Sequence, residues 1–182
     1  VKTILSERLT GIYTVAHLVE TKTQAQEILE ETLGSSMSPK IWDPFISRRT
    51  VDIVSRYARQ DVDIRILGSR LEDPYSNRDL KKLKEDIERL RSEKNIRLSL
   101  KLIWYPEDNR AFFHDRFIIL PSTTYQLGSS INFLGKKLTW ISELRRDWKL
   151  KIDTSFDYHW YTSTKILKER YHGVDIITVR LY

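Results

Sequence analysis

The segment FFHDRFIIL, residues 112–120, places a polar His-Asp-Arg group in front of an apolar run that is typical of a buried strand. We predict a strand over residues 111–120, in which successive side chains alternate between the two faces. His114 and Arg116 then share one face, and Asp115 lies on the other. An imidazole beside a fixed cation suits nucleophilic attack on phosphorus, because the cation offsets the charge that develops on the phosphoryl oxygens.

A second polar segment, GSSIN, occupies residues 128–132, so its glycine follows His114 by 14 positions. A glycine-serine turn can hold phosphate oxygens through backbone N–H groups and hydroxyls. Ser129, Ser130 and Asn132 are therefore candidate substrate-binding residues. Two alternatives remain open: the serines only form the turn, and Asn132 caps the helix or turn that follows.

Together these segments resemble the phospholipase D superfamily, whose motif H-x-K-x4-D precedes a glycine-serine turn and an asparagine, with the glycine at the same 14-position spacing. The early segment WDPFI is similar to a DPY-like element of that family, and the resemblance extends over residues 41–152. It implies that His114 is the nucleophile and that Arg116 binds the phosphate. It also implies that Glu143, in the segment ISEL, is the carboxylate that orients the histidine.

The sequence departs from the family pattern at three positions. Arg116 replaces the motif lysine, which keeps the charge but changes a compact ammonium into a planar fork. Pro121 stands where the motif aspartate belongs, and Asn132 follows the turn glycine by four positions instead of three. A bacterial and phage-associated subgroup has arginine as its rule, and its HDRF string and G-x-S-x-x-x-L-G-K-K turn are similar to HDRF and GSSINFLGKK here. Lys136 and Lys137 end that turn and are predicted to bind a polyanion. The alternative is that they are ordinary exposed lysines.

The resemblance implies a function as well as a fold. A complete site in this superfamily uses two such motifs, and this chain has one, so we expect a homodimer that shares one site on its two-fold axis. The expected activity is a metal-independent nuclease that cleaves DNA or RNA through a covalent phosphohistidine. The alternative is a catalytically degenerate module that binds nucleic acid or a protein partner, and Pro121 and the shifted Asn132 favour it. Phospholipid hydrolysis is disfavoured, because no amphipathic membrane-binding helix stands out.

The charge of the chain favours a polyanionic partner. The net charge is +6, and residues 135–151 hold six basic and two acidic residues, including Lys136, Lys137, Arg145 and Arg146. We expect these cations to form one patch that binds nucleic acid by releasing counterions from the phosphates. The alternative is a solvated surface without a partner.

Other classes of function are disfavoured by composition. The chain has no cysteine, and its four histidines show no pair at helical metal-ligand spacing, so we predict neither a metal site nor a cofactor. Its apolar runs are far shorter than the roughly 20 residues that cross a bilayer. The first 20 residues lack the uninterrupted apolar core of a secretory signal. These features predict a cytoplasmic protein without a membrane partner.

The periodicity of apolar residues predicts an α/β fold, a mixed β-sheet with helices on both faces. The resemblance implies that this sheet is phospholipase D-like. We expect a single domain over residues 1–182, with an N-terminal helical extension over 1–38 and a catalytic-type core over 39–182. Helices are predicted over residues 20–33, 50–59, 77–91 and 158–171. Strands are predicted over residues 40–46, 62–68, 96–104, 111–120, 125–129, 148–152 and 174–181.

Overall fold

The computed structural model describes residues 2–4, 12–72, 80–107 and 110–180. Within these residues the chain forms twelve strands, five α-helices and one 3₁₀ turn (Ile131–Phe133). In chain order the strands and helices are β1 (Lys2–Ile4), β2 (Tyr13–Val19), α1 (Lys22–Ser35), β3 (Lys40–Trp42), β4 (Phe45–Ile46), α2 (Arg48–Tyr57), β5 (Asp63–Gly68), β6 (Arg70–Leu71), α3 (Leu80–Lys94), β7 (Arg97–Tyr105), β8 (Arg110–Ala111), β9 (Phe117–Ile119), β10 (Thr124–Leu127), β11 (Thr139–Leu144), α4 (Arg146–Tyr161), α5 (Thr164–Arg170) and β12 (Asp175–Arg180). No helix in the described part of the chain is long and apolar enough to cross a membrane.

Ten strands form one mixed sheet, in the order β1-β2-β11-β10-β9-β3-β5-β7-β12, with β8 paired to β7. The centre is parallel, because β3, β5 and β7 are joined by crossovers that contain α2 and α3. The flanking strands are antiparallel hairpins and meanders. As a result the carboxyl ends of β3, β5 and β10 and the amino ends of β9 and β11 all lie at one end of the sheet, which we call the site end.

The sheet is buried on both faces. Neighbouring residues such as Ile66 and Leu67 belong to two different apolar cores, since alternate side chains in a strand point to opposite faces. The first core is covered by α1, α2 and α3, and the second by α4 and α5. The predicted α/β class, with a mixed sheet and helices on both faces, is confirmed.

Helix α4 is attached to the sheet by two buried lysines. The Nζ of Lys40 lies 2.7 Å from Oδ1 of Asp157 and 2.5 Å from Oδ1 of Asp153. The Nζ of Lys101 donates to the backbone carbonyls of His159, Trp160 and Thr162 at 2.7 to 3.1 Å, and so satisfies the open carbonyls at the end of α4. These contacts hold α4 against the face of the sheet that carries the second core, where Phe156 and Trp160 pack with Phe113 and Phe117.

The start of the chain differs from the prediction of a helical extension over residues 1–38. Helix α1 is present and begins with a capping box between Thr21 and Gln24. Strand β2, however, pairs along its length with β11 and is part of the main sheet. Its sequence YTVAHLV is rich in β-branched and aromatic residues, which suits a strand.

The region after residue 138 also differs. The predicted strand over residues 148–152 is wrong, because WKLKI lies inside α4 and the strand is the preceding segment TWISEL. Over five residues the alternation of WKLKI suggests a strand, but Trp148, Ile152 and Phe156 recur at helical spacing and pack together on the second core. The predicted helix over 158–171 is two helices, separated at Thr162 and restarted by the cap Ser163. The beginning of the predicted helix over 77–91 and the end of the predicted strand over 174–181 lie outside the described residues.

Candidate functional site

His114 and Arg116 lie at the site end, in an irregular segment that precedes β9. The prediction of one strand over residues 111–120 is wrong, because the ladder begins only at Phe117. Instead, the N–H groups of Phe112 and Phe113 donate to the hydroxyl oxygen of Ser69 at 3.1 and 3.2 Å. The segment rejoins the sheet where the backbone N–H of Leu127 donates to the carbonyl of Arg116. The histidine and the arginine are therefore placed by tertiary contacts and not by strand alternation.

The side chains of His114 and Arg116 make no hydrogen bond or ion pair with the rest of the described protein. His114 is exposed, and no described residue makes a hydrogen bond or ion pair with it. Arg116 is half-buried, with its guanidinium carbon 5.7 Å from the centre of the Phe45 ring. Its Nε is shielded from solvent and has no hydrogen-bond partner among the residues that the structure describes. A shielded N–H without a hydrogen-bond acceptor is energetically unfavourable. Arg116 is therefore a candidate donor to an anionic oxygen of a ligand.

A buried carboxylate, Asp43, fixes the turn beside this arginine. Asp43 is completely buried, and its oxygens accept from the backbone N–H groups of Phe45 (3.0 Å) and Ile131 (2.7 Å). Burial raises the pKa of Asp43 to about 6, while these N–H groups and the charge of Arg116 act in the opposite direction. Asp43 is not among the predicted site residues, although the similarity of its segment WDPFI to the DPY-like element indicated this position.

The predicted substrate-binding residues of the turn are largely engaged within the protein. Asn132 is buried, its Oδ1 accepts from the Thr50 hydroxyl at 2.6 Å, and its Nδ2 donates to the carbonyl of Phe45 at 2.8 Å. The buried Ser130 hydroxyl accepts from the N–H of Asn132 and caps the 3₁₀ turn. Ser129 is half-buried and donates to a backbone carbonyl in the same turn. Asn132 and Ser130 therefore shape the turn and have few atoms left for a substrate.

Glu143 does not reach His114. Its Oε1 accepts a hydrogen bond from the hydroxyl of Thr123 at 2.8 Å, and in the sheet it lies opposite Tyr125. On the same strand Trp140 lies at the site end, where its carbonyl accepts a hydrogen bond from the N–H of Gly128. Glu143 is three positions after Trp140 on the strand, a distance of about 10 Å. The expected orienting carboxylate is thus at the other end of β10 and β11.

Strand β11 also divides the basic residues of the stretch over residues 135–151 between the two ends of the sheet. Lys136 and Lys137 are exposed in the turn at the site end, and the Nζ of Lys137 lies 4.6 Å from the centre of the Phe133 ring. Arg145 and Arg146 are exposed beyond the opposite end of β11, roughly 20 Å along the strand. The prediction of one continuous patch is therefore wrong, since a strand separates the two pairs.

Trp140, on β11, is a further residue of the site end. Trp140 is 41% exposed. A Cβ on Gly128 would come within 2.8 Å of the indole nitrogen of Trp140, so the turn requires a glycine there.

Residues 12–72, 80–107 and 110–179 contain no group of three or more carboxylates and imidazoles that could hold a metal ion.

No family model and no curated protein matches this chain. Among solved structures, the chain is similar to that of TrmBL2, an archaeal chromatin protein described as showing a novel mode of DNA binding, with 12% sequence identity and a TM-score of 0.44. The match covers 86% of this chain and 55% of TrmBL2, so the chain spans about half the length of that structure.

Proposed function

We propose that this chain is a phospholipase D-like module that binds nucleic acid at the site end of its sheet and does not cleave it. The observation that carries the proposal is the state of Arg116. Its shielded Nε–H has no partner among the described residues, and it lies on the same irregular segment as the exposed His114. A phosphate oxygen would satisfy that donor and place a charge-assisted hydrogen bond at the centre of the site.

The surroundings of His114 argue against turnover. A nucleophilic imidazole needs a partner that fixes its tautomer and orientation, and the expected carboxylate, Glu143, is bonded to Thr123 at the far end of its strand. Both ends of the Asn132 amide are already bonded within the protein. Pro121 supplies no carboxylate where the family motif has one. A phosphate-binding site is retained under this proposal, whereas the groups that would drive chemistry are displaced.

The rim of the site favours a nucleic acid over a small phosphate ester. Lys136 and Lys137 are exposed in the adjoining turn, where they can contact further phosphates along a strand. The partly exposed ring of Trp140 lies against the same turn, and an exposed indole can stack on a nucleobase. Cations and an exposed aromatic ring near one arginine that can bind a phosphate are the features of single-strand binding.

The second candidate is the metal-independent nuclease formed by two copies of this chain. The observation that favours it is the exposure of His114, which leaves its imidazole accessible to the same residue of a second copy. A homodimer of this kind would supply the missing half of the site.

Arg116→Met is expected to weaken the binding of a fluorescently labelled oligonucleotide by about tenfold or more, because it removes the charged donor but keeps the bulk of the side chain. Arg116→Lys should recover part of the affinity. Arg91→Met is the matched control, since Arg91 is exposed in the last turn of α3, next to the amino end of β7 and away from the site end. Fluorescence anisotropy measures all three. Equal affinity of Arg116→Met and Arg91→Met would contradict the proposal.

A further inference from the structure

A cleft opens between α1 and α2. Its volume is about 290 Å³, and its lining includes Leu134, which ends the 3₁₀ turn after β10. The turn lies between the cleft and the candidate site: the N–H of Ile131 is bound to Asp43, while the carbonyl of Leu134 accepts from Nη2 of Arg49 at 3.2 Å. The two sites therefore use different residues of one connection.

The cleft has an excess of positive charge. Lys22, Arg49 and Arg56 line it, and the acidic residue among its lining side chains is Asp52. An oxygen of Asp52 lies 3.9 Å from Arg89 on α3, so part of its charge is directed out of the cleft. The local field favours an anion.

Arg49 has the same unsatisfied donor as Arg116. Its Nη2 is bonded to Leu134, but its Nε is shielded from solvent and has no hydrogen-bond partner in the described part of the chain. Burial lowers the pKa of Arg49, and the charge of Arg56 acts in the same direction. An anion in the cleft would supply the missing acceptor and offset the loss of hydration of the guanidinium.

The floor of the cleft is apolar. Ala25, Leu29, Ile53 and Leu134 line it, and each is buried. These side chains are already shielded from water, so the gain comes from the ligand: an apolar group beside the charged one would leave water on contact with this lining, at about 25 cal/mol per Å² of its own apolar area. Inorganic phosphate has no such group.

We infer that the cleft between α1 and α2 binds a small organic anion, a carboxylate or a phosphate monoester, whose charged group contacts Arg49 and Arg56 and whose apolar part lies on Ala25, Leu29, Ile53 and Leu134. This site uses different residues from the nucleic-acid site, and a ligand there contacts the turn that Asp43 holds from the other side.

The test uses phenyl phosphate as the probe, in an Arg116→Met background so that the candidate nucleic-acid site does not compete. Titration followed by ¹H–¹⁵N correlation spectra should shift the amide signals of α1, α2 and the 3₁₀ turn. Inorganic phosphate and phenol should each bind at least about tenfold more weakly, because phosphate lacks the apolar ring and phenol lacks the charged group. Benzoate should bind within the same range as phenyl phosphate.

Variants in the same background decide the site. Arg49→Met should weaken phenyl phosphate binding by about tenfold or more. Arg56→Gln should weaken it by several-fold, and Arg56 is exposed and has no side-chain hydrogen bond or ion pair with a described residue. Arg48→Met is the matched control, because Arg48 precedes Arg49 on α2 but does not line the cleft and is 3.9 Å from Asp86. The inference is overturned if phenyl phosphate at millimolar concentration shifts no signals of α1 and α2. It is also overturned if Arg49→Met and Arg56→Gln bind the probe as Arg48→Met does.

Discussion

Replacing Lys136 and Lys137 together with glutamine is expected to weaken nucleic-acid binding and to flatten its dependence on salt. Each phosphate contact that is lost lowers the slope of log K against log salt concentration by about 0.7 to 0.9, so the double variant should lose about 1.4 to 1.8. The two lysines are exposed in the turn at the site end, where the phosphates next to the one on Arg116 would lie. Affinity measured between about 50 and 200 mM salt gives the slope.

The chain offers a control with the same change of charge. Arg145→Gln together with Arg146→Gln also removes two positive charges, but these residues lie beyond the opposite end of β11, and Arg145 is 3.5 Å from Asp147. This double variant should keep the slope of the unmodified protein. Equal flattening by both double variants would show that binding responds to net charge and not to the site end, and the proposed interface would be wrong.

The stability that Asp43 contributes to the protein is expected to fall as the pH rises from about 4 to about 7. Burial raises the pKa of this carboxyl group from 3.8 to about 6 in the folded protein, so the folded state holds the proton more tightly than the unfolded chain does. The resulting stabilisation is fully present below the unfolded pKa and is lost as the pH rises through the folded pKa. The total change is about 3 kcal/mol in the free energy of unfolding.

Asp43→Asn removes the titrating group and should remove this part of the pH dependence. The variant loses one acceptor for the N–H of Ile131 and is expected to be less stable at pH 4. Its disadvantage should shrink as the pH rises to 7, which denaturant unfolding at several pH values measures. Asp115→Asn, at an exposed position, serves as the control. Parallel curves for the unmodified protein and Asp43→Asn would show that the carboxyl group is ionised throughout, held by Arg116 and the two N–H groups.

The sequence predicted the elements whose apolar period was long and uninterrupted. The helices near residues 20–33 and 50–59 and the strands near 62–68 and 96–104 are found as α1, α2, β5 and β7, with ends shifted by one or two residues. Each has a clear apolar pattern and a local start or stop signal, such as the cap at Thr21. Local physics determines such elements.

The site could be predicted only as a set of residues, not as an arrangement. The segment before β9 is held by the hydroxyl of Ser69, which is 43 residues earlier in the chain than Phe112, and nothing in FFHDRFIIL indicates that contact. The spacing of Glu143 from the turn suited the family pattern, but strand β11 carries its side chain away from His114. Lys136 and Arg145 are close in sequence, and the same strand separates them.

The most direct test of the central claim is one incubation that reads binding and cleavage together. End-labelled single-stranded and double-stranded DNA and RNA are mixed with the protein above its dissociation constant, in excess EDTA, and each sample is run on a native and a denaturing gel. The proposal predicts a shifted complex, lost in Arg116→Met, with full-length nucleic acid in every lane and the same result for His114→Ala. Cleavage products that persist in EDTA, are inhibited by vanadate and disappear in His114→Ala would contradict it, and would establish the chain as a phosphodiesterase.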